Sequence, residues 1–257
     1  MKLLTLTNGR SMPALGLGTW DLRGRDCREA AALALKLGYR HIDTAEMYGN
    51  EAEIGEAFAA SGVPRGELFV TTKVWTNHFR AAELKKAAEE SLRKLRLSHV
   101  DLLLLHWPYD AVPLAETLGA LCAEAKAGRA LAVGVSNYDL SLLKKAEALA
   151  DVPLACNQVK YSLGDDLGSL LPYARSKGVV ITAYTPLDRG KIVRNRAVLK
   201  VAGKHGKTPA QVALNWLVRQ EGVAAIPKAT GETHLRENLD VLGFELDKGD
   251  LAALDGD

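Results

Sequence analysis

Four polar side chains stand where short apolar runs of the sequence end, and their types suit proton transfer. Asp43, Lys73 and His106 each close or follow such a run, and Tyr48 lies a few residues beyond Asp43. If the runs are parallel strands of an α/β barrel, their carboxyl ends meet on one face, where such barrels build active sites. We therefore expect the four side chains to share a pocket.

The chemistry of this set is proton donation next to a polarised carbonyl oxygen. A phenol has a pKa of about 10, and we expect the ammonium of Lys73 to lower the pKa of Tyr48. Asp43 would keep Lys73 charged and oriented, and His106 could donate a hydrogen bond to a substrate oxygen. None of these groups supplies a hydride, which would have to come from a bound cofactor. On the residues alone, an aldolase that forms a Schiff base through Lys73 is a fair rival.

Apolar runs alternate with amphipathic stretches along the chain, which is typical of parallel α/β folds. An open doubly wound sheet shares this alternation, but eight units within 257 residues favour a closed (β/α)8 TIM barrel. The predicted strands are Leu15–Gly18, Tyr39–Asp43, Leu68–Lys73, Val100–His106, Ala132–Ser136, Ala155–Gln158, Val179–Tyr184 and Ala224–Pro227. The predicted helices lie near residues 26–37, 51–61, 80–95, 114–127, 139–149, 166–177, 208–221 and 233–242.

Residues 2–13 predict a β-hairpin that precedes the barrel. Asn8 and Gly9 can supply the two positive φ values that a tight primed turn requires. We expect this N-terminal hairpin to close the bottom of the barrel.

Composition indicates a single globular domain, residues 1–257, and argues against several other classes. The apolar fraction is 47%, the charged fraction is 25%, and a net charge of +2 gives no reason to expect a nucleic-acid or membrane partner. Three cysteines without a C-x-x-C pair fit a reduced, cytoplasmic setting. We find no signal-peptide core and no membrane-spanning apolar run. No pair of histidines has zinc-site spacing, so no metal is expected.

Two glycine motifs resemble phosphate-binding loops but are incomplete. The segment Gly16–Gly18 is not followed by the third glycine of a dinucleotide fingerprint. The segment Gly206–Thr208 has Val201 where a nucleoside-triphosphate loop needs its first glycine. Neither motif predicts a phosphate site.

The segment from Gly38 to Gly55 resembles the signature of the aldo-keto reductase family. It reads Gly38-Tyr39-Arg40-His41-Ile42-Asp43-Thr44-Ala45 and continues with Tyr48, Asn50-Glu51 and Ile54-Gly55. Further segments that resemble the family, in the family's order, are Gly16–Trp20, Lys73–Trp75, His106–Pro108, Gly134–Asn137, Asn157–Gln158, Ala183–Leu187, Thr208–Val212, Ile226–Lys228 and Glu237–Asn238. Within the family the chain is most similar to bacterial reductases of 2,5-diketogluconate and related small carbonyls, through Arg189–Lys191 and Lys204–Thr208.

The resemblance implies that Asp43, Tyr48, Lys73 and His106 form a catalytic tetrad with Tyr48 as the general acid. A hydride would pass from nicotinamide to the carbonyl carbon while Tyr48 protonates the oxygen. It also implies contacts to the nicotinamide, the pyrophosphate and the adenosine end of the cofactor. The residues implied, in that order along the cofactor, are Ser136, Asn137, Gln158 and Tyr184, then Thr185 to Leu187, then Lys228, Thr230, His234, Glu237 and Asn238.

Two positions depart from the family's usual residues at the cofactor's 2′-phosphate. His234 stands where an arginine is common, and Ala229 where a serine is common. Arginine offers a permanently charged fork, whereas histidine is mostly neutral at pH 7. Lys228 is retained. We therefore expect NADPH to be the cofactor, with NADH also used and a weaker preference than is usual in the family.

The wall of the substrate pocket is the second departure. The C-terminal loop and the loop after Pro108 are short, so the expected pocket is wide and lined mainly by aromatic residues. Such a wall suits small or flat aldehydes and ketones and broad specificity. The resemblance suggests a monomer, and the alternative function is a non-catalytic, binding or structural member of the family. The expected lining residues are Trp20, Met47, Trp75 and Trp107.

Overall fold

A computed structural model describes residues 1–256 and contains an eight-stranded parallel barrel. The eight barrel strands follow one another in chain order around the sheet. The two edge strands then meet, because a parallel bridge joins Leu15 to Ala225 and the Gly16 N–H donates to the Ala225 carbonyl at 2.9 Å. The barrel strands are β3 Leu17–Gly18, β4 His41–Asp43, β5 Phe69–Val74, β6 Leu102–Leu105, β7 Val133–Ser136, β8 Leu154–Lys160, β9 Val180–Tyr184 and β10 Val223–Ala225. The predicted (β/α)8 barrel is confirmed.

Continuously apolar strands form the core of this barrel. All four leucines of β6, Leu102–Leu105, are buried, as are all six residues of β5. Burial on both faces is the reason why β6 reads as an unbroken apolar run, whereas β5 also buries Thr71, Thr72 and Lys73. The helices that cover the sheet are α1 Gly24–Leu37, α2 Glu51–Ser61, α3 Ala81–Leu95, α4 Leu114–Lys126, α5 Leu140–Leu149, α6 Leu170–Lys177, α7 Arg196–His205, α8 Pro209–Arg219, α9 Glu232–Leu239 and α10 Lys248–Asp255. Within the described residues, no helix is both long and apolar enough to cross a bilayer.

Two of these helices were not predicted, and one begins later than expected. Helix α7 starts at a side-chain cap, where Asn195 accepts the N–H groups of Ala197 and Val198. The predicted helix 166–177 begins only at Leu170, because Gly168 has a φ of +50° and interrupts any earlier turn. The C-terminal segment is likewise not a loop alone, since it forms α10, which packs against α7 and accepts a hydrogen bond from Trp216 of α8.

The N-terminal hairpin lies against the bottom of the barrel, as expected. Strands β1 (Leu3–Thr5) and β2 (Ser11–Pro13) pair antiparallel. The side chains of Thr7 and Asn8 donate to the Leu154 and Leu131 carbonyls, at or just before the N-terminal ends of β8 and β7. These contacts fix the hairpin on the face opposite to the strand C-termini.

The predicted primed turn of this hairpin is wrong. Only Gly9 has a positive φ, +80°, and its N–H donates to the Leu6 carbonyl at 2.9 Å. The connection is therefore a longer loop that ends in one left-handed glycine. The Asn8 side chain accepts the Arg10 N–H and ties to Leu131, so tertiary contacts of this asparagine replace the strained conformation that was expected.

A buried carboxylate, Asp250, joins the C-terminal helix to α7. It accepts hydrogen bonds from Lys204 at 2.7 Å and His205 at 2.7 Å, and Asp247 and Asp250 form a reciprocal capping box. Burial alone would raise the pKa of Asp250, but hydrogen bonds from Lys204, His205 and the Asp247 backbone lower it to about 2. This pairing anchors α10 to the barrel.

Replacement of Asp250 by asparagine should make the protein less stable at neutral pH and almost unchanged near pH 2. The folded-state pKa lies below the unfolded value, so the contribution of Asp250 is complete above about pH 4 and vanishes as pH falls toward 2. We expect Asp250→Asn to lower Tm by about 5 °C at pH 7. Scanning calorimetry of both proteins across this range checks the result, and a pH-independent difference would contradict it.

Candidate active site

The four predicted catalytic residues meet at the C-terminal face of the barrel. Asp43 is the last residue of β4, Lys73 is the last but one of β5, and His106 directly follows β6. Tyr48 ends a short 3-10 helix just beyond β4. The Lys73 ammonium donates to Asp43 Oδ1 at 2.5 Å and to Tyr48 Oη at 3.4 Å. The geometry thus joins carboxylate, ammonium and phenol in one chain.

Lys73 is held as a cation. It is fully buried, and its ammonium also donates to the Thr44 carbonyl at 2.8 Å. Burial alone would lower the pKa of Lys73, but the charges and hydrogen bonds of Asp43 and Tyr48 raise it overall. A protonated, fully hydrogen-bonded amine is a poor nucleophile. This argues against the Schiff-base aldolase that the sequence left open.

The expected acidification of Tyr48 is opposed by burial. Removal of the phenolate from water raises the pKa of Tyr48, Lys73 lowers it, and Asp43 raises it again, so that the net direction is upward. The prediction that Lys73 would lower this pKa is correct for the pair interaction and wrong for the total. The main reason is that burial disfavours the phenolate, and Asp43, 2.5 Å from the ammonium, adds a smaller contribution in the same direction.

His106 is a neutral imidazole at physiological pH. Burial and the nearby Lys73 ammonium lower its pKa to about 3. Its ring lies 5.5 Å from the Tyr48 ring and 5.1 Å from the Trp75 ring, measured between centroids. Nδ1 is buried without a hydrogen-bond partner among the described residues. A neutral ring carries one N–H, so His106 can donate one hydrogen bond to a ligand oxygen.

A second group of polar side chains lies on the neighbouring strands β7, β8 and β9. Ser136 Oγ donates to the Gln158 carbonyl at 2.8 Å, and Asn137 Nδ2 donates to the His106 carbonyl at 3.1 Å. Tyr184 Oη donates to Asn137 Oδ1 at 2.8 Å. Gln158 Nε2 donates to Asp43 Oδ2 at 2.7 Å. Four residues that the family resemblance assigned to nicotinamide therefore form one hydrogen-bonded group that reaches the tetrad.

The chain that follows β9 has an unusual backbone. Thr185 has a φ of +52°, and Asp188 and Arg189 also have positive φ values. A β-branched residue in the left-handed region is strained, and such strain clusters at ligand-binding segments. The strained run includes the segment from Thr185 to Leu187 that the resemblance assigned to pyrophosphate.

The remaining predicted cofactor residues lie either in the loop after β10 or on α9. In the described chain, none of them forms a hydrogen bond or an ion pair with the tetrad. Lys228 is exposed and its ammonium lies 3.8 Å from a carboxylate oxygen of Asp21. His234 is exposed and pairs with Glu237 at 3.1 Å. The two others are Thr230, which is exposed, and Asn238, which is buried. Ala229, the second departure from the family, is buried as well.

Two of the four side chains expected to line the substrate pocket lie against rings of the tetrad. The Trp20 ring lies 5.0 Å from the Tyr48 ring and its side chain is half exposed. Trp75 contacts His106. Met47 and Trp107 are exposed, and neither ring stacking nor a hydrogen bond joins them to the tetrad in the described chain. Of the four expected residues, Trp20 and Trp75 therefore lie nearest to the tetrad rings.

Three residues with important contacts had no predicted role. Buried Asn50 donates to the Thr19 and Leu22 carbonyls at 2.9 Å each and so ties the first barrel loop to the tetrad loop. Glu46 accepts the Trp75 N–H at 3.1 Å and is hydrogen-bonded to His78. Asp21 pairs with Lys228. Asn50 lies inside the signature segment. The contacts of Glu46 with Trp75 and of Asp21 with Lys228 depend on loop conformations that no spacing rule predicts.

Comparisons with known proteins agree with this geometry. The model of the aldo/keto reductase family matches residues 14–256. Methylglyoxal reductase DkgB of Escherichia coli O157:H7 is 40% identical over 251 residues, which cover 95% of this chain and 94% of the relative.

Solved structures give the same result. A 2,5-diketo-D-gluconic acid reductase B is 43% identical with a TM-score of 0.96, and the match covers 99% of this chain and 91% of that one. A mutant of Gox0644 in complex with NADPH is 33% identical with a TM-score of 0.93, covering 99% and 93%. The chain therefore belongs to the aldo/keto reductase family and is an oxidoreductase that converts carbonyl compounds to alcohols.

Proposed function

We propose that this protein reduces small aldehydes, ketones, dicarbonyls and keto-sugars with NADPH, and that Tyr48 donates the proton. The observation that carries the proposal is the hydrogen-bonded chain from Asp43 through Lys73 to the Tyr48 hydroxyl. The names of two relatives, methylglyoxal reductase and 2,5-diketo-D-gluconic acid reductase B, favour dicarbonyl and keto-sugar substrates. We further propose that the chain acts as a single-domain monomer in the cytoplasm, without a metal, nucleic-acid or membrane partner.

The residues around the tetrad fit a nicotinamide cofactor. The Oε1 atom of Gln158 has no hydrogen-bond partner among the described residues, and the partly buried Tyr184 ring lies beside Asn137. An amide needs both donors and acceptors, and Ser136, Asn137 and Gln158 offer both. We propose that these residues hold the carboxamide, that Tyr184 stacks on the ring, and that Thr185 and Leu187 contact the pyrophosphate. The bound cofactor would supply the hydride.

The chain's own residues would do three things in the reaction. His106, neutral because its pKa is about 3, would donate a hydrogen bond to the carbonyl oxygen and orient the substrate. Tyr48 would donate its proton to that oxygen, and the Lys73 ammonium would stabilise the resulting phenolate. Trp20 and Trp75 would border the substrate and exclude water on two sides.

A panel of carbonyl compounds tests this function. The purified protein should oxidise NADPH in the presence of methylglyoxal, a keto-sugar acid or a small aromatic aldehyde, with the alcohol as product. The test follows the loss of NADPH absorbance and identifies the product by chromatography. If no member of such a panel were turned over while NADPH bound normally, the non-catalytic alternative would gain its first support.

The residues expected at the adenosine end of the cofactor predict a modest preference for NADPH over NADH. We propose that Lys228, Thr230, His234, Glu237 and Asn238 contact this end. His234 is a weak partner for a 2′-phosphate, and a carboxylate oxygen of Asp21 lies 3.8 Å from the Lys228 ammonium. We expect the ratio of kcat/KM values for the two cofactors to stay well below a thousand.

Replacement of His234 by arginine should raise that ratio by about tenfold, because a permanent charge adds a charge-assisted hydrogen bond to the phosphate. Steady-state kinetics with both cofactors measures it. His99→Arg adds the same charge just before Val100, near the N-terminal end of β6, and serves as the control. A ratio above a thousand in the wild type, or no change in His234→Arg, would contradict the assignment of His234.

A further inference from the structure

Asp43 is held from two opposite sides of the barrel. Its Oδ1 accepts a hydrogen bond from Lys73 at 2.5 Å, and its Oδ2 accepts one from Gln158 Nε2 at 2.7 Å. The three residues are between 0% and 2% exposed, so both contacts lie away from bulk solvent. A buried carboxylate oxygen that accepts no hydrogen bond raises the free energy of the folded protein.

Gln158 reaches Asp43 across the whole width of the barrel. Its strand β8 and the Asp43 strand β4 are four positions apart in the ring of eight, and thus face each other. The Gln158 backbone is itself fixed, since its carbonyl accepts the Ser136 hydroxyl and the Asn137 N–H at 2.8 Å each. The amide is therefore presented to Asp43 from a rigid position.

The Gln158 contact determines which oxygen of Asp43 is left to accept a hydrogen bond from Lys73. With Oδ2 satisfied by Gln158, only Oδ1 faces Lys73, and the ammonium keeps a proton directed at Tyr48 Oη, 3.4 Å away. Without Gln158, no other described residue donates to Oδ2. The carboxylate could then turn both oxygens to Lys73 and draw the ammonium away from the phenol.

We propose that Gln158 is a positioning residue for proton donation, which fixes Asp43 and through it directs the Lys73 ammonium at the Tyr48 hydroxyl. This role is separate from any contact of Gln158 with nicotinamide. It rests on the proposed function in one respect, namely that Tyr48 is the proton donor. Gln158 then assists the four residues of the tetrad by acting through Asp43 rather than on the substrate.

The test compares Gln158→Met with Ser136→Ala. Methionine keeps the length of the side chain but cannot donate to Asp43. Ser136→Ala disturbs the expected carboxamide site, keeps the bond from the Asn137 N–H to the Gln158 carbonyl, and leaves the Gln158 amide in place to donate to Asp43. The first readout is the carbon-13 resonance of the Tyr48 ring carbon that bears the hydroxyl, in the cofactor-free protein, assigned with Tyr48→Phe. The second is the pH dependence of kcat, and the third is the dissociation constant for NADPH.

Gln158→Met should shift the Tyr48 resonance and move the alkaline limb of the kcat profile upward by about one pH unit, as expected when a cation withdraws from the phenol. Ser136→Ala should weaken NADPH binding and leave the resonance and the limb where they are. The inference is overturned if Gln158→Met changes only the NADPH dissociation constant, or if both variants move the Tyr48 resonance alike.

A second variant of Gln158 and a measurement without ligands distinguish the possible outcomes. If Gln158→Met unfolds, Gln158→Leu replaces it, because leucine also cannot donate to Asp43 Oδ2 and should shift the Tyr48 resonance in the same direction. The resonance is measured without cofactor or substrate. A failure of the proposed function would appear as absent turnover in the wild type, whereas a failure of this inference would appear as an unmoved Tyr48 resonance.

Discussion

Tyr48→Phe should lower kcat for carbonyl reduction by about a thousandfold or more, within the range that general acid catalysis contributes. The variant removes one oxygen atom, which accepts a hydrogen bond from Lys73 at 3.4 Å and would give its proton to the substrate. No other described hydroxyl is hydrogen-bonded to the Lys73 ammonium, so no second hydroxyl shares this position beside the cation. The dissociation constant for NADPH should change by less than about threefold, because the Phe ring keeps its contact with Trp20.

The matched control for this variant is Tyr161→Phe. Tyr161 is buried, whereas Tyr48 is partly buried, and the Tyr161 hydroxyl donates to Gln220 at 3.1 Å rather than to a residue of the tetrad. Its kcat should equal that of the wild type. Stopped-flow measurement of hydride transfer, together with fluorescence titration of NADPH, separates chemistry from binding. Full activity in Tyr48→Phe would show that another group donates the proton.

The pH dependence of the wild type follows from the same side chains. The pKa of Tyr48 is raised, so the phenol keeps its proton throughout the neutral range. The pKa of His106 is about 3, so the imidazole stays neutral in that range as well. The kcat for reduction should therefore be nearly flat from about pH 5 to 8 and fall only in alkaline solution, where the phenol ionises.

The sequence predicted the tetrad because strand-end positions in a parallel barrel converge by topology. Asp43, Lys73 and His106 needed only the correct assignment of β4, β5 and β6, each marked by an apolar run. Tyr48 needed more, because its position depends on a 3-10 helix that no periodicity reveals. The signature segment supplied that position.

The parts that the sequence did not predict depend on partners distant in the chain. The Gln158–Asp43 contact joins residues 115 positions apart, and the Asp21–Lys228 pair joins two loops. The net direction of the Tyr48 pKa could not be obtained from types and spacing, since it is set by how completely the fold removes the phenol from water. Helix α10 was missed because its capping box has aspartate at both ends instead of the usual pair.

Lys73→Met should affect both stability and activity, because it leaves Asp43 as an unpaired buried charge. Both side chains are at most 2% exposed, and removal of one partner from a buried pair costs about 3–5 kcal/mol of unfolding free energy. The same change removes the one cation that the described residues place beside the Tyr48 hydroxyl, so kcat should fall by about a hundredfold or more. Urea unfolding and single-turnover kinetics measure the two effects.

A second substitution separates these two consequences. In Asp43→Leu combined with Lys73→Met, no charge is left unpaired, and apolar replacement of a buried ion pair is often neutral or stabilising. The double variant should therefore recover most of the lost stability yet remain as inactive as Lys73→Met, since the phenol still lacks its cation. Lys126→Met, which breaks an exposed pair with Asp151, should change neither quantity measurably. If the double variant regained activity along with stability, Lys73 would be a structural residue, and the acidity of Tyr48 would have to come from another source.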